Sequence, residues 1–289
     1  MRRGGLLAWL YVGPTLLILA IYLVYPTLTT IYLSLLDKRS ETFVGVDNYR
    51  WLFTSNAMRI AFRNNLLWLV VFTALTVSFG LLLAVLLDRV RYEALAKSTI
   101  FLPMAISFVG AGVIWRFMYA FRPPNTPQVG VLNAVLVGVF GRDPVGWLVE
   151  RPINNFALIV AGVWIWTGFC MVILSAAYKG IPRDIIEAAR VDGANEWQIF
   201  WRVILPLMKS TVAVVTTTMV INVLKVFDIV YVMTFGEFGT EVLANRMYKE
   251  MFQFRDFGRA SAIAVVLLLA IVPVMLVNIR RFQEQEALR

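Results

Sequence analysis

Residues 155–178 read NFALIVAGVWIWTGFCMVILSAAY without a single charge, and residues 179–206 continue KGIPRDIIEAARVDGANEWQIFWRVILP. At about 1.5 Å per helical residue, the first stretch is long enough to cross a hydrocarbon core roughly 30 Å thick. The second stretch is charged and punctuated by Pro182, Gly193 and Pro206, so it belongs in water or at an interface. A membrane-spanning helix that hands over to a polar, sharply punctuated element is the unit from which the rest of the chain is read.

The whole composition agrees with lipid as solvent. Hydrophobic residues make up 60% of the chain and charged residues only 16%, with a mean hydropathy of +0.73, values outside the range of water-soluble globules. The net charge of +9 comes from Lys and Arg scattered through linkers, with no compact basic run, which excludes nucleic acid as a partner. Histidine is absent and Cys170 is the only cysteine. A disulfide framework or zinc cluster within the chain is therefore excluded, and no metal site is expected. Arg2 and Arg3 followed by the apolar stretch from Leu6 imitate a secretory signal, but that stretch runs well past an h-region and no small-x-small site closes it.

Apolar runs between charged punctuation predict an all-α integral membrane protein with six spans, at about Leu6–Leu36, Ala61–Leu87, Thr99–Phe121, Asn155–Tyr178, Leu207–Phe235 and Arg259–Ile279. An even number places both termini on one side. Lys and Arg are almost equally divided between the two sets of linkers, and the shorter, denser set favours cytoplasmic termini. The linker 122–151 holds several prolines around a brief apolar stretch, Val129–Phe140, too short to span. Pro14, Pro26, Pro103 and Pro273 fall inside spans and are expected to kink them where neighbours satisfy the freed carbonyls.

The polar segment reads as helix, turn, helix. Pro182 suits a first helical turn, Gly193 supplies a left-handed residue to end that helix, and Asn195 with Gln198 makes a capping box for the next. Trp197, Phe200, Trp201 and Ile204 recur at i, i+3, i+4 and i+7, predicting one apolar face along an interface. Ala188 and Ala189 leave the first helix nearly bare, so another protein's surface can approach its backbone. The segment has the design of a docking element.

Here the chain resembles the permeases of binding-protein-dependent ABC importers, through Glu-Ala-Ala, three residues, Gly, nine residues, Ile-x-Leu-Pro. Glu187, Ala188, Ala189, Gly193, Leu205 and Pro206 match, with Val203 in place of the usual Ile. Chance agreement at six fixed positions has odds on the order of 1 in 10,000 or less. The resemblance implies a six-helix type I permease with a cytoplasmic helix-turn-helix coupling loop seated in a cleft of an ATP-hydrolysing subunit. Glu187 and Asp192 would be its polar contacts and Gly193 its turn, with Pro206 at the inner end of the fifth span. It also implies a division into an N-terminal helix and outer linker (1–60), a type-1 core (61–282, coupling loop 181–206) and a cytoplasmic tail (283–289). Phe227–Thr234, Arg246–Tyr248 and Gly258–Ala262 look like the carbohydrate branch, nearest to α-glucoside permeases. Phe235, Gly236 and Glu237 replace the Gly-Gly-Pro often found there.

Candidate pathway residues lie in spans four and five. Lys225 and Asp228, read as i and i+3 on one helix, either neutralise each other or face the solute, because ionisable groups at membrane depth rarely face lipid. Asn222 falls roughly 24 Å above Pro206 along a helix, in the outer half of the membrane. Met219, Asn222, Val223 and Val226 form a helical stripe that is either packing or the sugar-contacting face the resemblance implies. Trp164, Trp166 and Phe169 are aromatic candidates for stacking on sugar, or belt residues. Thr216, Thr217 and Thr218 are expected to bond their own i−4 carbonyls.

The resemblance implies a permease that translocates sugars, of the α-glucoside, maltose, trehalose or glucose kind, by alternating access in the prokaryotic plasma membrane. A second permease subunit (a heterodimer), an ATPase dimer and an extracytoplasmic sugar-binding protein would be its partners. The sequence has no Walker-type glycine loop, so ATP and magnesium are expected on the ATPase and the chain is not itself an enzyme. Its rivals are a permease for another polar solute such as glycerol phosphate, a secondary transporter or channel, and a membrane-embedded enzyme. The last lacks a nucleophile, base or metal set at membrane depth.

Overall fold

The computed structural model describes residues 3–287. Arg2 of the signal-like stretch and the last two residues of the expected tail 283–289 lie outside the described residues. Those described are helical nearly throughout, relieved by one isolated antiparallel bridge, Leu36 with Phe43. The helices are α1 (Arg3–Leu19), α2 (Tyr25–Leu33), α3 (Asp47–Thr54), α4 (Asn56–Leu67), α5 (Thr73–Leu86), α6 (Glu93–Phe101), α7 (Phe108–Met118) and α8 (Val131–Gly138). There follow α9 (Ile153–Lys179), α10 (Arg183–Val191), α11 (Glu196–Ile199), α12 (Leu205–Leu224), α13 (Asp228–Met233), α14 (Leu243–Tyr248) and α15 (Phe257–Ala287). Among the described residues, five helical runs are long and apolar enough to cross a membrane, and the bent pair α6–α7 makes a sixth if counted as one span.

Contacts divide the chain into two compact units. The first holds the chain up to Arg59 together with Arg246–Leu269. No residue in the apolar window of its span Trp9–Leu33 is buried, as expected of a helix that belongs in hydrocarbon. Pro26 sits in the first turn of α2, directly after a π-helical turn, Ala20–Val24, so the missing N–H is absorbed as a local widening without a break. Beyond the span, Asn48 donates to the carbonyls of Ser34 (2.9 Å) and Leu36 (2.7 Å). The Asp37 carboxylate accepts from the Thr42 hydroxyl (2.6 Å) and the Glu41 amide (2.8 Å), which hold its pKa down at about 2. Buried Glu250 is paired with Arg246, and both Arg246 and Arg259 lie over the Trp51 ring.

The second unit, Ile60–Asn245 with the remainder of α15, is built around α9. This helix packs on α5, α6, α7 and α12, and Leu158, Ile159, Ile165, Met171 and Leu174 on it are fully buried. Two glycines set the closeness of these contacts. A Cβ on Gly80 would fall 2.5 Å from Cβ of Cys170, and one on Gly168 would fall 2.5 Å from the Ile100 carbonyl oxygen and 2.6 Å from Cα of Phe101. Helices in lipid associate by such van der Waals contact and lack a hydrophobic drive toward one another. Gly168→Val is expected to cost at least about 1–3 kcal/mol, since backbone atoms cannot yield. Thermal unfolding of the purified protein in detergent checks this.

The structure corrects two of the expected spans. The stretch Thr99–Phe121 is not one helix: α6 passes into a tight 3-10 turn, Leu102–Ala105, and α7 leaves at 99°. Pro103 sits at the start of that turn, and Ser107 restarts the chain as the cap of α7, its hydroxyl accepting from the Gly110 amide at 3.0 Å. The fifth span ends at Leu224 and not near Phe235. Lys225 leaves helical geometry (φ −105°, ψ 12°), Phe227 is more distorted still (φ −141°, ψ −63°), and α13 begins at Asp228. At its other end this span reaches back to Glu196, so the second helix of the polar segment is the foot of the span and not a separate element. Within the linker 122–151 only Val131–Gly138 is helical, and its Asn133 is a hub that donates to the carbonyls of Ala120 and Val145 and accepts from the Val145 amide and the Trp147 indole.

Candidate functional site

The polar segment forms as its capping chemistry dictates. Pro182 lies at the N-cap of α10, one residue before the first turn expected for it, with ψ 130° and no side-chain cap bond. Gly193 adopts φ +84°, its amide bonds to the Arg190 carbonyl (3.0 Å), and the Ala194 amide bonds to that of Ala189 (3.0 Å). This pair of bonds is the Schellman closure, and it requires the left-handed residue that glycine supplies. Asn195 and Gln198 then exchange side-chain-to-backbone bonds of 2.9 and 3.0 Å, completing the capping box. Arg190 pairs with Glu196 across the turn (2.8 Å). Glu187, Ala188, Asp192, Gly193 and Pro206 are exposed and Ala189 is half-buried, so the motif residues face outward from this chain.

Of the apolar face expected for the second helix, Trp197, Phe200 and Trp201 stay in ring contact, while Ile204 turns inward. A π-helical turn, Phe200–Ile204, precedes Pro206 and adds a residue to the turn, which rotates the helix out of the i, i+3, i+4, i+7 register. Ile199 and Ile204 are buried, while Trp197 (71% exposed) and Trp201 (49%) project outward, edge to face at 5.6 Å.

The second feature is a cavity of about 90 Å³ within the second unit, with Trp68, Phe72, Phe108, Trp166 and Phe227 on its walls and Asn222, Lys225 and Asp228 as polar groups. Of the expected pathway residues, the structure gathers Trp166, Asn222, Val223, Lys225, Val226 and Asp228 here. Met219 is not among them: it is fully buried in the helix-packing core, the opposite reading of the stripe. Phe169 stands one layer back, edge to face with Trp166 at 5.7 Å, and Trp164 packs edge to face on Trp115. The i, i+3 relation of Lys225 and Asp228 on one helix is also corrected, because the break lies between them, and among the described residues no ion pair joins the two. Lys225 sits at the C-terminal end of α12 and Asp228 at the start of α13, each at the dipole end that favours its charge. Thr216, Thr217 and Thr218 bond the carbonyls of Val212, Ala213 and Val214, as expected.

Trp68, Phe72, Phe108 and Gly162 line the cavity without having been singled out in the sequence, and Phe227 and Ile229, marked there only by resemblance, line it too. A π-helical turn, Trp68–Phe72, places the first two, and Gly162 makes room for them, since a Cβ there would meet both rings at 3.1 Å. Phe108 arrives through the bend in the third span and stacks on Trp166 (5.8 Å, 20°). The break is fixed from outside the fifth span: buried Asn65 donates to the Val223 carbonyl (3.4 Å) and accepts from the Leu243 amide (2.8 Å). The Trp68 indole N–H is buried with no hydrogen-bond partner among the described residues. Among them, too, no cluster of His, Cys, Asp and Glu could hold a metal ion.

Apolar spans, an exposed capped elbow and an aromatic cavity with polar corners are the features expected of a membrane permease subunit. Residues 77–284 match the family described as binding-protein-dependent transport system inner membrane component, and the chain belongs to that family. It is 65% identical over 280 residues to the osmoprotective compounds uptake permease protein GgtC of Synechocystis sp., covering 97% of this chain and 100% of that one. To the alpha-glucoside transport system permease protein AglF of Rhizobium meliloti it is 50% identical over 273 residues, covering 94% and 81%. A solved bacterial ABC transporter that imports alginate has a chain of the same fold, with a TM-score of 0.81 at 24% identity, covering 96% of this chain and 95% of that one. The architecture is therefore the type I ABC importer permease read from the sequence.

Proposed function

We propose that this chain is the translocating subunit for an α-glucoside-type sugar or a related small glycoside, driven by a separate ATPase dimer that binds ATP and magnesium. The observation that carries the reading is the cavity. Aromatic faces stack on sugar C–H surfaces while polar groups at the edges take the hydroxyls, and here Trp68, Phe108 and Trp166 surround Asn222. The relatives whose names specify osmoprotective compounds and alpha-glucosides point to the same class of solute.

In this reading both termini are cytoplasmic, residues 1–60 form an accessory helix and outer linker, 61–282 the translocating core and 283–289 a tail. A second permease completes the pathway and an extracytoplasmic binding protein delivers solute. Closure of the ATPases moves α10 through Glu187, Ala188, Ala189 and Asp192, the elbow at Gly193 turns that motion into the fifth span at Pro206, and the cavity alternates between the two sides. The test is to purify the chain with its natural partners and screen sugars, with a phosphorylated polyol included, for stimulation of ATP hydrolysis. The expected result is stimulation by α-glucosides delivered on the binding protein. Stimulation by the phosphorylated polyol alone would replace the solute class, and uptake without any ATPase would replace the mechanism.

The unpartnered indole of Trp68 gives a further expectation. A buried donor left unpaired is costly, and a solute hydroxyl that accepts from it recovers a hydrogen bond. Trp68→Phe keeps the aromatic wall and removes the donor, so the KM for uptake should rise about 2- to 12-fold with little change in kcat.

A further inference from the structure

At the root of the elbow lies a charged cluster that the docking motif does not include. Glu93, the first residue of α6, pairs with Lys179, the last residue of α9, at 2.6 Å. It also pairs with Lys97 one turn along its own helix, and Lys97 bonds in turn to the Ser175 hydroxyl of α9. Asp88 stands 4.0 Å from Lys179. One turn of α6 is thus tied at two levels to the final turn of α9, immediately before Gly180 and the start of α10.

Two further facts give this tie a direction. First, a polar cavity of about 610 Å³ separates the cluster from α10, with Asp88, Glu93 and Lys179 on one side and Arg183, Glu187 and Arg190 on the other. The charged side of the elbow can therefore shift against the cluster through a solvated gap, while Ile186 and Ala189 keep α10 seated on the apolar core. Second, α6 continues through the Leu102–Ala105 turn to Ser107 and Phe108, and Phe108 is a wall of the solute cavity stacked on Trp166. The close approach of Gly168 to Ile100 and Phe101 keeps α6 on α9 over the intervening turns. A displacement at the base of α10 thereby has a rigid route to Phe108 that does not pass through the fifth span.

We propose that Glu93 is a positioning residue for energy coupling: its bridge to Lys179 holds α6 to the root of the elbow, so that motion of the elbow moves Phe108 in the solute cavity. The proposal rests on the transport reading above. A tie of this kind is supported by coupling measurements and not by adjacency alone.

The experiment uses the whole transporter reconstituted with its partners in liposomes, and reads ATP hydrolysed per solute taken up, beside assembly and thermal unfolding. For Glu93→Gln we expect assembly and unfolding temperature close to those of the wild type, with about three- to tenfold more ATP consumed per solute. Lys179→Gln should give the same kind of phenotype, and the double variant less than the product of the two single effects, because the Glu93–Lys179 bridge is lost in both. Glu93→Asp, which keeps the charge, should restore most of the coupling. A wild-type ratio in Glu93→Gln, or single effects that multiply in the double variant, overturns the tether. Should Glu93→Gln fail to assemble, Lys179→Gln carries the test alone, its side chain being 51% exposed and outside the core. ATP-independent uptake by the wild type would overturn the transport reading itself, whereas a well-coupled wild type beside a well-coupled Glu93→Gln overturns the tether alone.

Discussion

Gly193→Val is expected to abolish ATP-driven uptake while leaving the membrane spans folded. Gly193 sits at φ +84° and a Cβ there would meet nothing within 4 Å, so the cost of the substitution is purely conformational. Left-handed geometry costs an L-residue roughly 1–2 kcal/mol, and a β-branched one is a true outlier there. The Schellman bonds of Gly193 and Ala194 would give way, and with them the angle between α10 and the foot of the fifth span. Pull-down of the ATPase subunit should fall at least about tenfold, which is the equilibrium equivalent of about 1.4 kcal/mol. Thermal unfolding of the detergent-solubilised chain should be unchanged. Gly193→Asn separates geometry from side-chain bulk, since asparagine tolerates the left-handed region, and it should retain most of the ATPase binding. Normal ATPase binding by Gly193→Val would remove the elbow from the coupling role.

The second large effect is expected at Asn222. The residue is half-buried on the cavity wall, and its side-chain amide already donates to the Thr218 carbonyl at 2.9 Å. The Asn222 side-chain oxygen therefore faces its surroundings as an oriented acceptor. Asn222→Leu keeps the volume and removes both functions, and a site built to hydrogen-bond a hydroxyl discriminates strongly once its polar group is gone. Uptake should drop by at least about tenfold, with ATPase association and basal hydrolysis retained. Transport unchanged in this variant would show that the solute passes elsewhere.

What could be read from the sequence follows the range of the forces involved. The turn at Gly193 and the Asn195–Gln198 box are written in neighbouring residues and are legible to single positions, whereas Pro182 falls one residue outside the helical turn expected of it. The break after Leu224 was not, because its determinant is Asn65, which is distant in the chain and holds the Val223 carbonyl and the Leu243 amide. Hydropathy alone runs straight through that break into Ile229–Met233. The bend of the third span was half legible: Pro103 was marked as a kink, but its 99° angle depends on the Ser107 cap and on α9 lying against Ile100. Half of the cavity wall was missed for a similar reason. Trp68 and Phe72 read as ordinary span residues, and only a π-helical turn and the absent side chain of Gly162 bring them to the solute. The same kind of turn ahead of Pro206 carries Ile204 inward and away from Trp197 and Trp201, where a regular helix would have kept all three on one face.

The central claim is that α10 engages the ATPase and moves with nucleotide, and Cys170 makes a direct measurement possible. It is the only cysteine of the chain and it is buried, so a thiol introduced by Ala188→Cys is the one accessible site. Cross-linking of that thiol to the ATPase subunit should be followed in inside-out membrane vesicles, with and without ATP. A cross-link whose yield changes on adding nucleotide is the predicted result. A thiol labelled by an impermeant reagent from outside intact cells, with no cross-link to the ATPase in either state, would contradict the account.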